Sequence, residues 1–369
     1  MLKKIIGENI LSSLFNVRLN VALTFNVKPE SQTFLQSVPP IPNLGNTQTE
    51  KSVDMYAEWD TWDTINAVKS AIECFHNCTL IEANDSAFTK LKELKPDLVF
   101  NIAEGINGIS REAQIPSMLD MLKIPYTGSD PLTLATCLDK ARAKEILSYY
   151  KIPNAKFVIA DSLESVNTIN LEFPLIVKPI SEGSSKGIFS SCFVNSKTDL
   201  MKEVEKILVE YNQPALVEEF LPGREFTVAV IGNGKEAEVL PVVEINYNEF
   251  PEDFVPIYSY EAKWILDTKE NPLDVFSCPA KIDTNLESKI KNVVLKTYNV
   301  LRCKDWSRID VRLDKTTEPT IIEVNPLPGI LPNPEENSCF PKAARTVGLN
   351  YEDMINKVLF VAAKRHNLI

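Results

Sequence analysis

The chain has 369 residues, 44% of them hydrophobic and 24% charged, with a formal net charge of -11. That length suits two or three globular units, and the composition excludes a disordered polymer. The acidic balance, with no basic run, argues against a nucleic-acid footprint, so an anionic ligand must meet a locally basic pocket. Seven cysteines scattered without a secretory leader point to reduced thiols in the cytoplasm.

In chain order, MLKKIIGENILSSLF predicts an amphipathic helix, RLNVALTF (18–25) a strand, and residues 26–50 a polar loop marked by prolines. No apolar run approaches the roughly 20 residues needed to cross a bilayer. DTINAVKSAIECF has helical spacing, CTLIEA reads as a strand, SAFTKLKELK as a helix and PDLVFNIA as a strand. This alternation predicts a parallel sheet with crossovers. Cys74, His76 and Cys78 lie close together in CFHNC, but the only other histidine is His366. We read that stretch as structural, and a histidine-based triad is hard to assemble from two histidines.

QIPSMLDMLK predicts a helix, and LATCLDKARAKEILSYY one more that stops before Ile152-Pro153. The texture then changes to strands broken by turns: KFVIA, FPLIVKP, GIFSSCFV, ALVEEFL, REFTVAVIG and AEVLPVVEI. KIKNVVLKTYNVL is a late helix, followed by the alternating strands SRIDVRLD and TIIEVNP. The fold class is therefore α/β at the start and α+β afterwards.

The stretch IVKPISEGSSKGI (176–188) admits several readings. GSSKG formally fits a nucleophile elbow, but that motif requires a helix after the turn, and IFSSCFV reads as a strand. No stretch fits a Walker loop, and GNGKE (232–236) reads as a hairpin turn. A third reading is a glycine-rich flap between antiparallel strands, closing over phosphates with Lys178 as a fixed cation. An ordinary flexible hairpin is the bland alternative. If the last two strands pair, Asp310, Glu323 and Asn325 come together as oxygen ligands suited to Mg²⁺; otherwise these acids are a solvated sheet face.

IPYTGSD, LDKARAKEIL, LIVKPISEGSSKGI, VEEFLPGREFTVAV, YEAKW, RIDVRL and IIEVNPLPG occur in this order over about residues 95–350. Together they resemble the D-alanine–D-alanine ligase branch of the ATP-grasp superfamily. The resemblance implies a three-part ATP-grasp fold: a Rossmann-like N-terminal domain with an extra helix (1–129), a central subdomain with the phosphate flap (130–219) and a C-terminal subdomain (220–369). It implies a cytoplasmic, homodimeric enzyme of peptidoglycan synthesis acting on small molecules, with no nucleic-acid or membrane partner. ATP phosphorylates one amino acid's carboxylate, and the amine of a second attacks the acyl phosphate. The implied cofactors are ATP and two Mg²⁺ ions, replaceable by Mn²⁺.

By position, the resemblance assigns Lys140, Lys178, Glu182, Ser184 and Ser185 to the ATP phosphates and flap. It assigns Glu218, Glu219, Phe220 and Leu221 to the adenine hinge, Glu225 to the ribose and Lys263 to the γ-phosphate. Asp310, Glu323 and Asn325 match the metal ligands. Arg308 and Gly329, with Ser184 and Lys263, match the catalytic groups, and Ser338 with Arg308 would hold the acceptor's carboxylate. The departures lie on the substrate side. The glycine-rich turn after the first strand is missing, leaving Glu30 as a displaced counterpart of its glutamate. Glu104 replaces a histidine, Trp264 replaces a tyrosine, and the stretch before Ser338 is longer. Glu104, Arg111 and Glu112 are thus candidates for changed recognition. A ligase for other amino acids or small carboxylates, and a nucleotide-binding module without catalysis, remain as alternatives.

Overall fold

The computed structural model describes residues 17–29, 54–105, 107–248, 250, 254–263, 273 and 275–369. The predicted N-terminal helix, most of the proline-marked loop, Glu30 and Trp264 lie outside these residues.

The first sheet is parallel, in the order β2-β1-β3, built from β1 (Asn20–Phe25), β2 (Asn77–Glu82) and β3 (Leu98–Asn101). Helix α1 (Trp62–Glu73) precedes β2, α2 (Ala87–Leu94) links β2 to β3, and α3 (Gln114–Leu122) follows. Residues 21–25 and 98–101 are buried without alternation, as strands covered on both faces require.

LATCLDKARAKEILSYY, expected as one helix, is two: α4 (Pro131–Leu138) and α5 (Lys140–Tyr149). Asp139 is extended between them, and its carboxylate accepts from Ala141 N (3.1 Å) and Arg142 N (3.0 Å). An aspartate satisfying two first-turn N–H groups is a strong helix start, and here it overrides the continuous helical pattern.

The second sheet is antiparallel: β4 (Phe157–Ala160), β5 (Leu175–Pro179), β6 (Phe193–Val194) and β7 (Ala215–Glu219), in the order β4-β7-β5-β6. Residues 180–192 thus loop between two antiparallel neighbours. GIFSSCFV yields only two strand residues, because 190–192 form a 3-10 turn. Helix α6 (Lys197–Glu210), not anticipated from the sequence, is capped by Ser196 and packs Leu200, Val204 and Ile207 into this sheet's core.

The third sheet runs β11-β10-β8-β12-β13, with β9 on β8. Its strands are β8 (Glu225–Ile231), β9 (Glu238–Val239), β10 (Val243–Ile245), β11 (Phe276–Ser277), β12 (Trp306–Leu313) and β13 (Pro319–Asn325). GNGKE does turn β8 into β9, and AEVLPVVEI is split around Pro241, which has no N–H to give the ladder. Helices α7 (Thr284–Val300), α8 (Cys339–Thr346) and α9 (Tyr351–Arg365) complete the chain.

The first and third sheets share a core. Phe100, Trp306 and Phe340 meet edge-on at 5.5 and 5.6 Å between centroids, and Asn356 of α9 donates to Ala71 O of α1 at 2.7 Å. The flap-bearing sheet has a core of its own, with Leu175, Val177, Val204 and Val217. Among the described residues no helix is long and apolar enough to cross a membrane.

Candidate active site

Two adjoining cavities, of about 510 and about 80 Å³, lie over the β12–β13 hairpin. The hairpin pairs Asp310 with Glu323 and Arg308 with Asn325. Strand alternation buries Ile309 and Val311 completely and turns Arg308 and Asp310 into the larger cavity. Arg308 grips Asp310 through two hydrogen bonds (3.1 and 2.9 Å), and Asn325 Nδ2 reaches the same carboxylate at 3.3 Å. Glu323 pairs with Lys140 at 3.2 Å. Burial pushes the Glu323 carboxyl up, but Lys140, Lys178 and Arg308 together hold it below its ordinary value.

Two carboxylates on facing strand positions, each now balanced by a cation, with an amide beside them, offer hard oxygens to a divalent ion. Among the described residues no group of three or more His, Cys, Asp or Glu gathers as a metal cluster, and the amide beside the two carboxylates is that of Asn325. The set fits a hard cation whose remaining ligands come from phosphate or water.

Glu218, at the end of β7, is buried between Lys178 (2.5 Å) and Lys144 (2.8 Å). Burial raises its pKa, yet the two lysines overcome this and hold it at about 2. Lys144 was not singled out from the sequence, although it stands one helical turn after Lys140 on α5, on the same face. Glu219, Phe220 and Leu221 line the larger cavity beyond β7. Glu225 lines it too. Burial pushes its carboxyl up, while Arg312 and the Tyr247 hydroxyl, both at 2.8 Å, counter that rise.

Lys263 lines both cavities, and burial with the charges of Arg308 and Lys28 brings its ammonium down to about 8. Gly329, Arg308 and Ser338 line the larger cavity. Ser338 Oγ accepts from Leu331 N (3.1 Å) and donates to Gly329 O (3.2 Å), tying that loop to the start of α8. In the flap, Ser184 and Ser185 have φ of +50° and +61°, a left-handed pair costing about 1–2 kcal/mol each. Ser184 lines both cavities and Ser185 the larger. Glu182, Lys140 and Asn325 line the smaller cavity.

That smaller cavity holds a cluster of acids: Glu58, Asp60, Glu104 and Glu112. Burial, with repulsion from Glu112 and Glu58, pushes Glu104 well up. Burial with the Glu58 charge raises Glu112 to about 8, and burial raises Asp60 to about 7. Arg111, also buried, is paired with Glu58 at 2.5 Å instead. The sequence had singled out Glu104, Arg111 and Glu112 but not Glu58 or Asp60, which lie outside any regular element. The CFHNC stretch lies apart from both cavities. His76 is buried and its Nδ1 accepts from Leu19 N at 3.2 Å, while Cys74 is exposed.

Known proteins resemble this chain in sequence and in fold. A profile of the family described as D-ala D-ala ligase C-terminus matches residues 146–360. The D-alanine–D-alanine ligase of Haemophilus ducreyi is 32% identical over 320 residues, covering 85% of this chain and 95% of that protein. The uncharacterized protein y4sG of Sinorhizobium fredii is 35% identical over 318 residues, covering 84% and 90%. Among solved structures, D-alanine–D-alanine ligase from Bacillus anthracis complexed with ATP superposes with a TM-score of 0.65 at 20% identity, covering 96% of this chain and 99% of that one. VanG D-Ala:D-Ser ligase from Enterococcus faecalis gives 0.63 at 22% identity, covering 94% and 100%.

The fold is the ATP-grasp fold. By its family match and its relatives, the chain belongs to the D-alanine–D-alanine ligase family.

Proposed function

We propose that this chain is an ATP-dependent ligase that joins two small amino acids into a dipeptide through an acyl phosphate. Family membership makes it an ATP-using ligase that forms a peptide bond. The observation that carries the residue-level reading is the hairpin. It sets Arg308, Asp310, Glu323 and Asn325 side by side in the walls of the two adjoining cavities, which Ser184 of the flap and Lys263 also line.

In this reading Lys140, Lys178, Ser184 and Ser185 hold the ATP phosphates, and Glu218 keeps Lys178 in place through the paired charge. Glu219 to Leu221 receive the adenine, and Glu225 takes the ribose hydroxyls. Asp310, Glu323 and Asn325 would hold two Mg²⁺ ions, which neutralise charge on the phosphates when bound. The γ-phosphoryl group passes to a donor carboxylate oxygen and ADP leaves. The acceptor's amine then forms the C–N bond while the acyl C–O bond to phosphate breaks. Arg308 and the Gly329 N–H face the oxyanion formed in that step, and Ser338 with Arg308 holds the acceptor carboxylate. D-alanine is the donor and acceptor that the relatives' names favour. The three-part division at residues 129 and 219, a homodimer, a cytoplasmic setting and a place in peptidoglycan synthesis belong to the same proposal.

One observation favours a second reading of the donor. Besides Glu182 and Glu323, four acids line the smaller cavity, more than a single donor ammonium needs, so a donor other than D-alanine fits that wall. Trapping separates ligation from mere nucleotide binding. With ATP, Mg²⁺, donor and hydroxylamine but no acceptor, a hydroxamate of the donor is expected, and Arg308→Ala should suppress it. ATP turnover with no hydroxamate from any amino acid would remove the acyl phosphate.

A further inference from the structure

Six carboxylates line the smaller cavity, and the protein supplies cations for most of them. Glu58 pairs with Arg111 (2.5 Å), Glu182 with Lys186 (2.9 Å) and Glu323 with Lys140 (3.2 Å), while Lys28 places its charge near Asp60. Glu104 and Glu112 are left over: among the described residues their carboxylates form no ion pair and accept no hydrogen bond. Arg111 stands beside Glu112 in sequence but is spent, because its guanidinium donates to Glu58, to Ser181 O (2.8 Å) and to Glu182 (3.3 Å). Lys140 is likewise taken by Glu323 and the Glu182 carbonyl. Glu112 is only 8% exposed, and a carboxylate that deep is costly to ionise without a partner. Burial and the Glu58 charge accordingly push it up to about 8, and burial with the charges of Glu112 and Glu58 pushes Glu104 well up.

Both acids stand on fixed backbone. Gly105 N donates to Asn26 Oδ1 (2.9 Å) and Trp59 Nε1 to Gly105 O (3.1 Å), which pins the chain beside Glu104. Glu112 lies in the 3-10 turn 111–113, where Ala113 N donates to Ser110 O (3.0 Å). A Cβ on Gly105 would stand 2.3 Å from Arg111 O, so the two segments touch and their acids line one cavity. Lys263 and Arg308 line the same cavity. It therefore offers cations for a carboxylate and two spare acids for ammonium groups.

We infer that the donor is a short-chain diamino acid, whose carboxylate lies toward Lys263 and Arg308 and whose two ammonium groups are received by Glu104 and Glu112. This substrate class rests on the ligase reading above. A donor with a single ammonium leaves one buried carboxylate unanswered, whereas a second ammonium answers it and brings three more N–H donors to the wall. The cavity, of about 80 Å³, keeps the side chain short. Glu104 and Glu112 are then the residues that set donor choice.

The probes are 2,3-diaminopropionate and its isostere 2-aminobutyrate, in which a methyl group replaces the second ammonium, each in D and L forms. With the full chain, ATP, Mg²⁺ and hydroxylamine, kcat/KM for hydroxamate formation should favour the diamino acid by about tenfold or more. Glu104→Gln and Glu112→Gln should each shrink that ratio, mainly through a raised KM for the diamino acid. A merely structural role would slow both donors alike and leave the ratio in place. Calorimetric titration of each amino acid into the protein with ADP and Mg²⁺ reads the same preference without turnover. Equal or better use of 2-aminobutyrate, or a ratio that neither variant moves, would overturn the diamino assignment. If no amino acid yields a hydroxamate, the ligase reading falls and the titration decides alone. Binding of the diamino acid tighter by about tenfold or more then upholds the assignment, and equal binding overturns it.

Discussion

The two walls of the site are made in different ways. The wall proposed to be catalytic is a β-hairpin whose register sets Asp310 against Glu323 and Arg308 against Asn325, with apolar neighbours locked into the core. The wall proposed for the donor comes from segments outside the sheets: Glu58 and Asp60 before α1, Glu104 after β3 and Glu112 in the short 3-10 turn 111–113. In the proposed reading the metal-holding groups sit on paired strands, and the acids of the smaller cavity lie on segments outside the sheets, which tolerate change at little cost to the fold.

The comparison breaks first, and most strongly, at the catalytic wall. Asp310→Asn and Glu323→Gln should each lower kcat by about a thousandfold, since metal-held charge is worth several kcal/mol in the transition state. Circular dichroism and melting should show an intact fold. Normal turnover in both would remove the metal assignment.

Next comes Lys263, which touches both cavities. Its ammonium is held at about 8 by burial and by Arg308 and Lys28, so it is charged below that pH and neutral above. kcat/KM for ATP should therefore fall as pH rises through about 8, and Lys263→Arg should remove that alkaline limb because a guanidinium stays charged. An identical limb in the arginine variant would assign the titration elsewhere.

At the donor wall, Glu112→Gln should change KM for the donor by about tenfold with kcat nearly kept, as expected for a contact made equally in ground and transition states. A change confined to the acceptor's KM would move Glu112 to the other substrate. The smallest effect on chemistry is expected from Gly105→Ala. With φ +82° and Arg111 O only 2.3 Å from the new Cβ, it should cost about 1–3 kcal/mol of stability, read as a lowered melting temperature.

How far the sequence could be read follows the same division. The parallel sheet, the flap between antiparallel strands and the Asp310–Glu323 pairing were legible, because alternation and turn residues report strand faces directly. The break at Asp139 was not, since the residues on both sides of it are good helix formers and the cap is a matter of one backbone conformation. Helix α6 was overlooked although Ser196 marks its start. Lys144 was visible at i+4 from Lys140, but its partner Glu218 is on strand β7, more than 70 residues along the chain. Asp54, Glu58 and Asp60 carry no periodic signal at all. Asp54 and Glu58 meet the flap across more than 120 residues of chain, a proximity that only the folded molecule supplies.

The most direct test of the account is to incubate the wild-type protein with ATP, Mg²⁺ and D- or L-amino acids, singly and in pairs, and to read phosphate and product mass together. The account predicts a dipeptide formed one-for-one with ADP. D-alanine alone would serve if the donor wall matches the relatives, or another pair if its acids have changed the donor. ATP consumed without a dipeptide from any pair would contradict it.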